Sequence, residues 1–435
     1  MTNTTPPIEP PSAPPTFMRA TFVPDVPEAL ATAAAALRAA SASPALQAFR
    51  AAAWEAFARL GIPATKHEDF NYISPSDLKA ALTRLPAAPR AATVAGEAGG
   101  AVATLDFTDD SLSAFTVPEN VDLHALAGED FPEDLLATWT DLVRAENDIP
   151  AALAWTFAQQ PLALRVPQDS KTSLRLHVAG QAARADRALF IRLEANAEVD
   201  VVIEGDFAAE AFSNTAVVFS LAPGAHVRVM QADASEGIQM LKLRFELDRD
   251  AHASCLSVST GSRLARLSLE AGLNGPGADL DVRGATAVNA TNRVHRHLLV
   301  RHAAPHCTSN QLFKAVVLGS ARSSVDGTVI VERGAQKTDA RQLLQHQILS
   351  PDGRADAKPR LLIHADDVKC SHGATVGKTD PAQLFYLESR GLDAAMANAL
   401  LTQAFLGEAL DLAPEAVRAA AWETLSAALH EGDVS

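Results

Sequence analysis

Four alanines, at positions 197, 225, 251 and 278, each follow a turn-forming residue and open a short aliphatic run: ANAEVDVV, PGAHVRVM, RDAHASCLSV and PGADLDVRG. They stand 28, 26 and 27 residues apart. A unit of that length holding only short strands cannot bury an apolar face alone. Stacked on its neighbours it can, which is the logic of a solenoid. The stretches ALFIRLEAN, EVDVVIEGD, TAVVFSLAPG, HVRVMQAD and LKLRFELDRD alternate with period two, as half-buried strands do. A β-sandwich also produces many short strands, but the near-regular spacing favours a β-helix.

Helical patterns flank this region. ALATAAAALRAA and ALQAFRAAAWEAFARLGI carry apolar groups at three- and four-residue spacings, with Ser43 before Pro44 as an N-cap and Gly61 as a stop. Helical character returns in FPEDLLATWTDLVRAEND, and the Pro/Ala/Gly-rich LPAAPRAATVAGEAGGA between them reads as a linker. From Asp380, DPAQ offers an aspartate cap, proline at the first helical position and glutamine three residues after the cap. The expected organisation is a proline-rich disordered lead-in (1–27), a helical region with linker (28–160), a β-helix core (161–379) and a C-terminal helical region (380–435).

With 37 basic and 52 acidic side chains the formal charge is −15, which disfavours a phosphate-backbone binder. Three cysteines, Cys255, Cys307 and Cys370, are too scattered for a disulfide framework and suit a reducing compartment. Neither a secretory leader nor an apolar run of the roughly 20 residues a membrane helix needs is visible, so a cytoplasmic chain is expected.

The stretch CSHGATVGKTD, residues 370–380, poses a choice. As a phosphate loop it has His372 where the first glycine belongs, and its helix signals come after Lys378 and Thr379 rather than around them. As a donor pair, Cys370 and His372 suit iron–sulfur species or zinc. The polar setting suggests an exposed loop, in which neighbouring Lys369 would favour the thiolate. Seven of thirteen histidines lie between His295 and His372: His295, His297, His302, His306, His346, His364 and His372. In HAAPHC the spacing of His302, His306 and Cys307 would suit a metal on a helix, but the surrounding sequence is strand-like. There is no C-x-x-C pair, so any cluster would be transient or would draw ligands from a second chain.

HADDVKCSHGATVGKTDPAQLFYLESRGL (364–392) resembles the C-terminal signature of the SufB/SufD family of iron–sulfur cluster assembly proteins. SNQLFKAVVLGSARSSVDGTVIVERGAQKTDARQ (309–342) resembles the family's preceding core segment, and HEDFNYISPSDLK (67–79) its short N-terminal motif. Cys-Ser-His-Gly at 370–373 is closer to SufD than to SufB members. Gln345-His346-Gln347 departs from the expected asparagine leading into Leu-Leu-Leu and concerns local packing.

The resemblance implies a mainly β chain, a right-handed parallel β-helix flanked by N- and C-terminal α-helical segments. It implies a non-catalytic scaffold subunit pairing with a SufB-like subunit through the β-helix and with a SufC-like ATPase through the C-terminal helices. A cysteine desulfurase system would be linked indirectly. Cys370 and His372 would meet iron or a nascent iron–sulfur cluster at the junction, transiently and shared with the partner chain. A SufB-like chain carrying the cluster itself, and a β-helix carbohydrate-active enzyme, are the alternatives. Flavin binding, and a homodimer in the partner's absence, are left open by the resemblance.

Overall fold

The computed structural model describes residues 24–430 except 42, 64–66, 89–95, 99–101, 129–130, 234 and 412. The expected lead-in falls outside these residues up to position 23, and so does much of the expected linker.

Strands of mostly eight to ten residues alternate between two sheets and wind into a parallel β-solenoid of about eight turns. Within one sheet, Lys171, Glu198, His226, His252, Asp279, Thr308, Asp339 and Lys369 stand side by side in one column across parallel strands. Just before that column lies the physical basis of the sequence repeat. Ala197, Ala225, Ala251, Ala278 and Cys307 are fully buried, each one residue ahead of its strand. The residue before each of these (Asn196, Gly224, Asp250, Gly277 and His306) has φ of 56–77°. That left-handed turn favours Gly, Asn and Asp, and the small residue after it leaves the coils free to stack.

Inside, aliphatic side chains at alternate positions fill the lumen, with Phe219 and Phe245 stacked at 5.0 Å between centroids. The helices lie on the outer faces. At the N-terminal side these are α1 (Glu28–Ala39), α2 (Pro44–Leu60), α3 (Pro75–Leu82), α4 (Glu133–Arg144) and α5 (Ile149–Phe157). Ser43 caps α2 by accepting from the Leu46 N–H (3.2 Å), and Gly61 ends it at φ 62°. α2, α4 and α5 pack Phe49, Trp139 and Trp155 onto Phe190 and Val218 of one sheet. Beneath α5, Asp148 pairs with Arg266 at 2.7 Å; nearby, Lys242 pairs with Glu270 at 2.6 Å. At the C-terminal side, α6 (Pro381–Ser389) is followed by α7 (Ala394–Leu410) and α8 (Glu415–His430). Leu406, Leu410 and Leu425 of α7 and α8 cover Val258, Ala285 and Val316 of the other sheet. Among the described residues, no helix is long and apolar enough to cross a membrane.

The two ends of the solenoid differ. At the first end, the hairpin Val102–Thr108/Ser111–Val117 adds to one sheet, and Asp122–Ala125 adds antiparallel to the other. These strands come from the region expected to be helical. At the last end, the strands Arg354–Ile363 and Lys369–Gly377 are the outermost members of their sheets. LLIHADDVKC holds the end of the first of these strands, a short connection and the start of the second. The motif at 67–79 docks on the outer face near this end. Arg266 lies over the Phe70 ring at 4.6 Å, and Glu68 pairs with Arg360 and Lys358 of the strand Arg354–Ile363.

Candidate functional site

Cys370 and His372 lie in the outermost strand Lys369–Gly377, as Cα partners of Ala340 and Gln342. Side chains two apart on a strand share a face, separated by about 7 Å along the chain. Ala340 and Gln342 are buried members of the lumen wall, so Cys370 and His372 sit on the lumen side of the last turn. Cys370 is half-buried and packs against the end of the interior core, while His372 is exposed. A thiol and an imidazole in this relation are both within reach of one ion.

This placement corrects two expectations. The 370–377 stretch is a β-strand, not a surface loop, and Gly373 to Gly377 is extended rather than wrapped around a phosphate. Nor does Lys369 promote the thiolate. It projects to the opposite face, as adjacent strand residues do, and the Cys370 thiol is pushed up. Burial is the main cause, Asp339 adds to it, and a hydrogen bond with the Ala340 backbone partly opposes it.

The other cysteines are interior. Cys255 is buried, its thiol raised to about 12 by loss of water. Cys307 is the small buried residue of its coil and donates its thiol to the Gly275 carbonyl at 3.3 Å. The seven histidines do not converge. His302 and His346 point inward and pair with Ser309 (2.8 Å) and Ser323 (3.2 Å), and desolvation lowers both to about 4. His306 occupies a left-handed turn at φ 61°, His295 is buried on an outer face beside Tyr72, and His364 is exposed in the last turn. Among the described residues, no three His, Cys, Asp or Glu side chains are grouped to hold a metal ion. One chain thus offers a thiol and an imidazole at an open end, a donor set that further ligands would complete.

Sequence reasoning missed the polar residues behind this pair. Gln311 and Gln342 are buried in the lumen, and Gln342 Nε2 donates to Gln311 Oε1 at 2.8 Å. The signal was present in QLLQHQI, whose Gln342, Leu344 and His346 share the inward face.

Residues 177–405 match the family described as SUF system FeS cluster assembly, SufBD core domain. An iron–sulfur cluster assembly SufBD family protein of Synechocystis sp. is 33% identical over 189 residues, 43% of this chain and 42% of that protein. The iron–sulfur cluster assembly protein SufD of Escherichia coli is 34% identical over 189 residues, 40% of this chain and 44% of that protein. A SufBD family protein of Mycobacterium bovis is 29% identical over 266 residues, 59% and 66% of the two lengths. The chain therefore spans under half the length of the first two of these relatives.

Proposed function

We propose a role for this chain on one premise: it belongs to the SufBD core family of the SUF iron–sulfur cluster assembly system. It acts as a SufD-like cytoplasmic scaffold subunit with no catalytic turnover of its own. Its open β-helix end pairs with a SufB-like subunit, and its C-terminal helices dock a SufC-like ATPase. Sulfur reaches the assembly from a cysteine desulfurase system. Iron or a nascent cluster is cargo, met at the junction by Cys370 and His372 together with donors of the partner subunit.

The observation that carries this reading is the unfinished last turn. Unpaired N–H and C=O groups along an outermost strand invite another strand unless something covers them. Here the two outermost strands also leave Ile363 and Val376 more than 40% exposed, and among the described residues no third donor joins the thiol and the imidazole. The docking of an ATPase is supported by α6, which buries none of its residues and leaves Phe385 72% and Tyr386 56% exposed.

Truncation after Gly377 separates the two contacts. In a pull-down with both partners, the truncated chain is expected to keep the SufB-like subunit and lose the ATPase. Retention of the ATPase would reduce the C-terminal helices to a cap, and loss of the SufB-like subunit would remove the edge-pairing claim.

A further inference from the structure

Behind the candidate site the lumen holds a short chain of side-chain amides whose last acceptor is unpaired. Gln311 and Gln342 are 1% and 3% exposed, inside a wall that is otherwise mostly aliphatic. Gln342 Nε2 is committed to Gln311 Oε1 at 2.8 Å, while Gln342 Oε1 has no partner. A buried carbonyl oxygen without a donor is destabilising, so an amide kept there is better explained by a donor it can meet. The register supplies one: the Cα partner of Gln342 on its outer side is His372, on the same face of the adjacent strand.

The surroundings leave room for this amide. Gly327, facing it from the other sheet, has no Cβ, and an added one would lie 2.2 Å from Gln342 Nε2. Any side chain at 327 would push the amide from its place. The glycine and the Gln311 amide fix the Gln342 side chain in the lumen, and the register puts His372 at the adjacent position of the next strand.

We infer that Gln342 is a positioning residue for His372: its Oε1 accepts one ring N–H and leaves the other ring nitrogen free to face the junction. A histidine that ligates a metal usually donates its second nitrogen to a carbonyl or carboxylate, which fixes the tautomer and the ring orientation. The ligand role of His372 rests on the reading given under Proposed function. The hydrogen bond to Gln342 does not, and the two are tested separately.

The first measurement is the tautomer of His372 in the full chain with isotope-labelled histidine, read by long-range proton–nitrogen NMR. Wild type is expected to hold His372 in one tautomer. Gln342→Glu, which keeps an acceptor, should hold it too. Gln342→Met should give a mixture, and so should Gly327→Ala, which displaces the amide without removing it. Equal tautomer populations in wild type, Gln342→Met and Gly327→Ala would overturn the inference. The second measurement is cobalt(II) binding to the chain in complex with its SufB-like partner, followed by thiolate-to-cobalt absorption. Gln342→Met should weaken binding about tenfold, Gln342→Glu should restore it, and His372→Ala should abolish it. Loss in His372→Ala with full binding in Gln342→Met would overturn the positioning role alone. Full binding in His372→Ala would overturn the ligand reading, and with it any positioning of a ligand by Gln342.

Discussion

Ala251 gives the solenoid its sharpest stability test. It is fully buried, follows Asp250 at φ 56°, and stands in the column between Ala225 and Ala278 of the adjacent coils. Coils in one sheet are about 4.8 Å apart, which leaves no space between the methyl groups of the column for a branched side chain. Ala251→Leu should therefore force off-rotamer packing or separate the coils, at a cost of about 1–3 kcal/mol. Ala251→Gly should also destabilise, by about 0.5–1 kcal/mol. In a stacked repeat each coil contacts only its neighbours, so the cost should stay local. Amide hydrogen exchange in the strands His226–Asp233 and Asp279–Val288 is the assay. At about 1.4 kcal/mol per factor of ten, Ala251→Leu should accelerate it roughly 5- to 150-fold. Exchange in Lys369–Gly377 should not change. Unchanged exchange beside Ala251, or an equal rise throughout the chain, would refute the stacked-column account.

Thiol chemistry should rank the three cysteines. Near about pH 8, alkylation of the native chain should modify Cys370 alone and slowly, with Cys255 and Cys307 reacting only in denaturant; peptide mass spectrometry reads the order, and early labelling of Cys255 would contradict its burial. The Lys242–Glu270 pair sets an acid limit. Burial alone would raise the Glu270 carboxyl, but Lys242 and Arg244 outweigh it and lower it from 4.5 to about 2. Its contribution is thus present above about pH 4.5 and lost as the pH falls towards 2, so the urea midpoint should drop across that window and Glu270→Gln should flatten the drop. Asp148→Asn strands the buried Arg266 guanidinium and should cost about 3–5 kcal/mol by urea denaturation; a loss below 1 kcal/mol would show that the pair is solvated.

The β-helix was legible because its turn chemistry repeats: a left-handed Asn, Gly or Asp, then alanine, then a strand. The signal fades after Ala278 because the same two positions become His306-Cys307 and Lys337-Thr338, which keep the geometry with unexpected residues. That substitution also made His306 and Cys307 look like metal ligands. The hairpin at 102–117 was missed because it is short and set among helices. Cys370 and His372 were legible as a donor pair, but their strand was not. A strand at the uncovered end of a solenoid has no coil beyond it to demand apolar side chains, so Lys369–Gly377 looks like a loop. The thiolate inference failed for the same reason, since Lys369 counts as a neighbour in sequence but faces away on a strand.

The most direct test of the proposed role is cluster formation in a reconstituted mixture of this chain with a SufB-like subunit and a SufC-like ATPase, supplied with iron and a sulfur donor. Visible absorption and Mössbauer spectra would be compared for wild type, Cys370→Ser and His372→Ala, after confirming that each variant still joins both partners. The account predicts that both substitutions leave the complex intact and lower the cluster signal, with His372→Ala removing iron uptake at the junction. Wild-type amounts of cluster in both variants would contradict it.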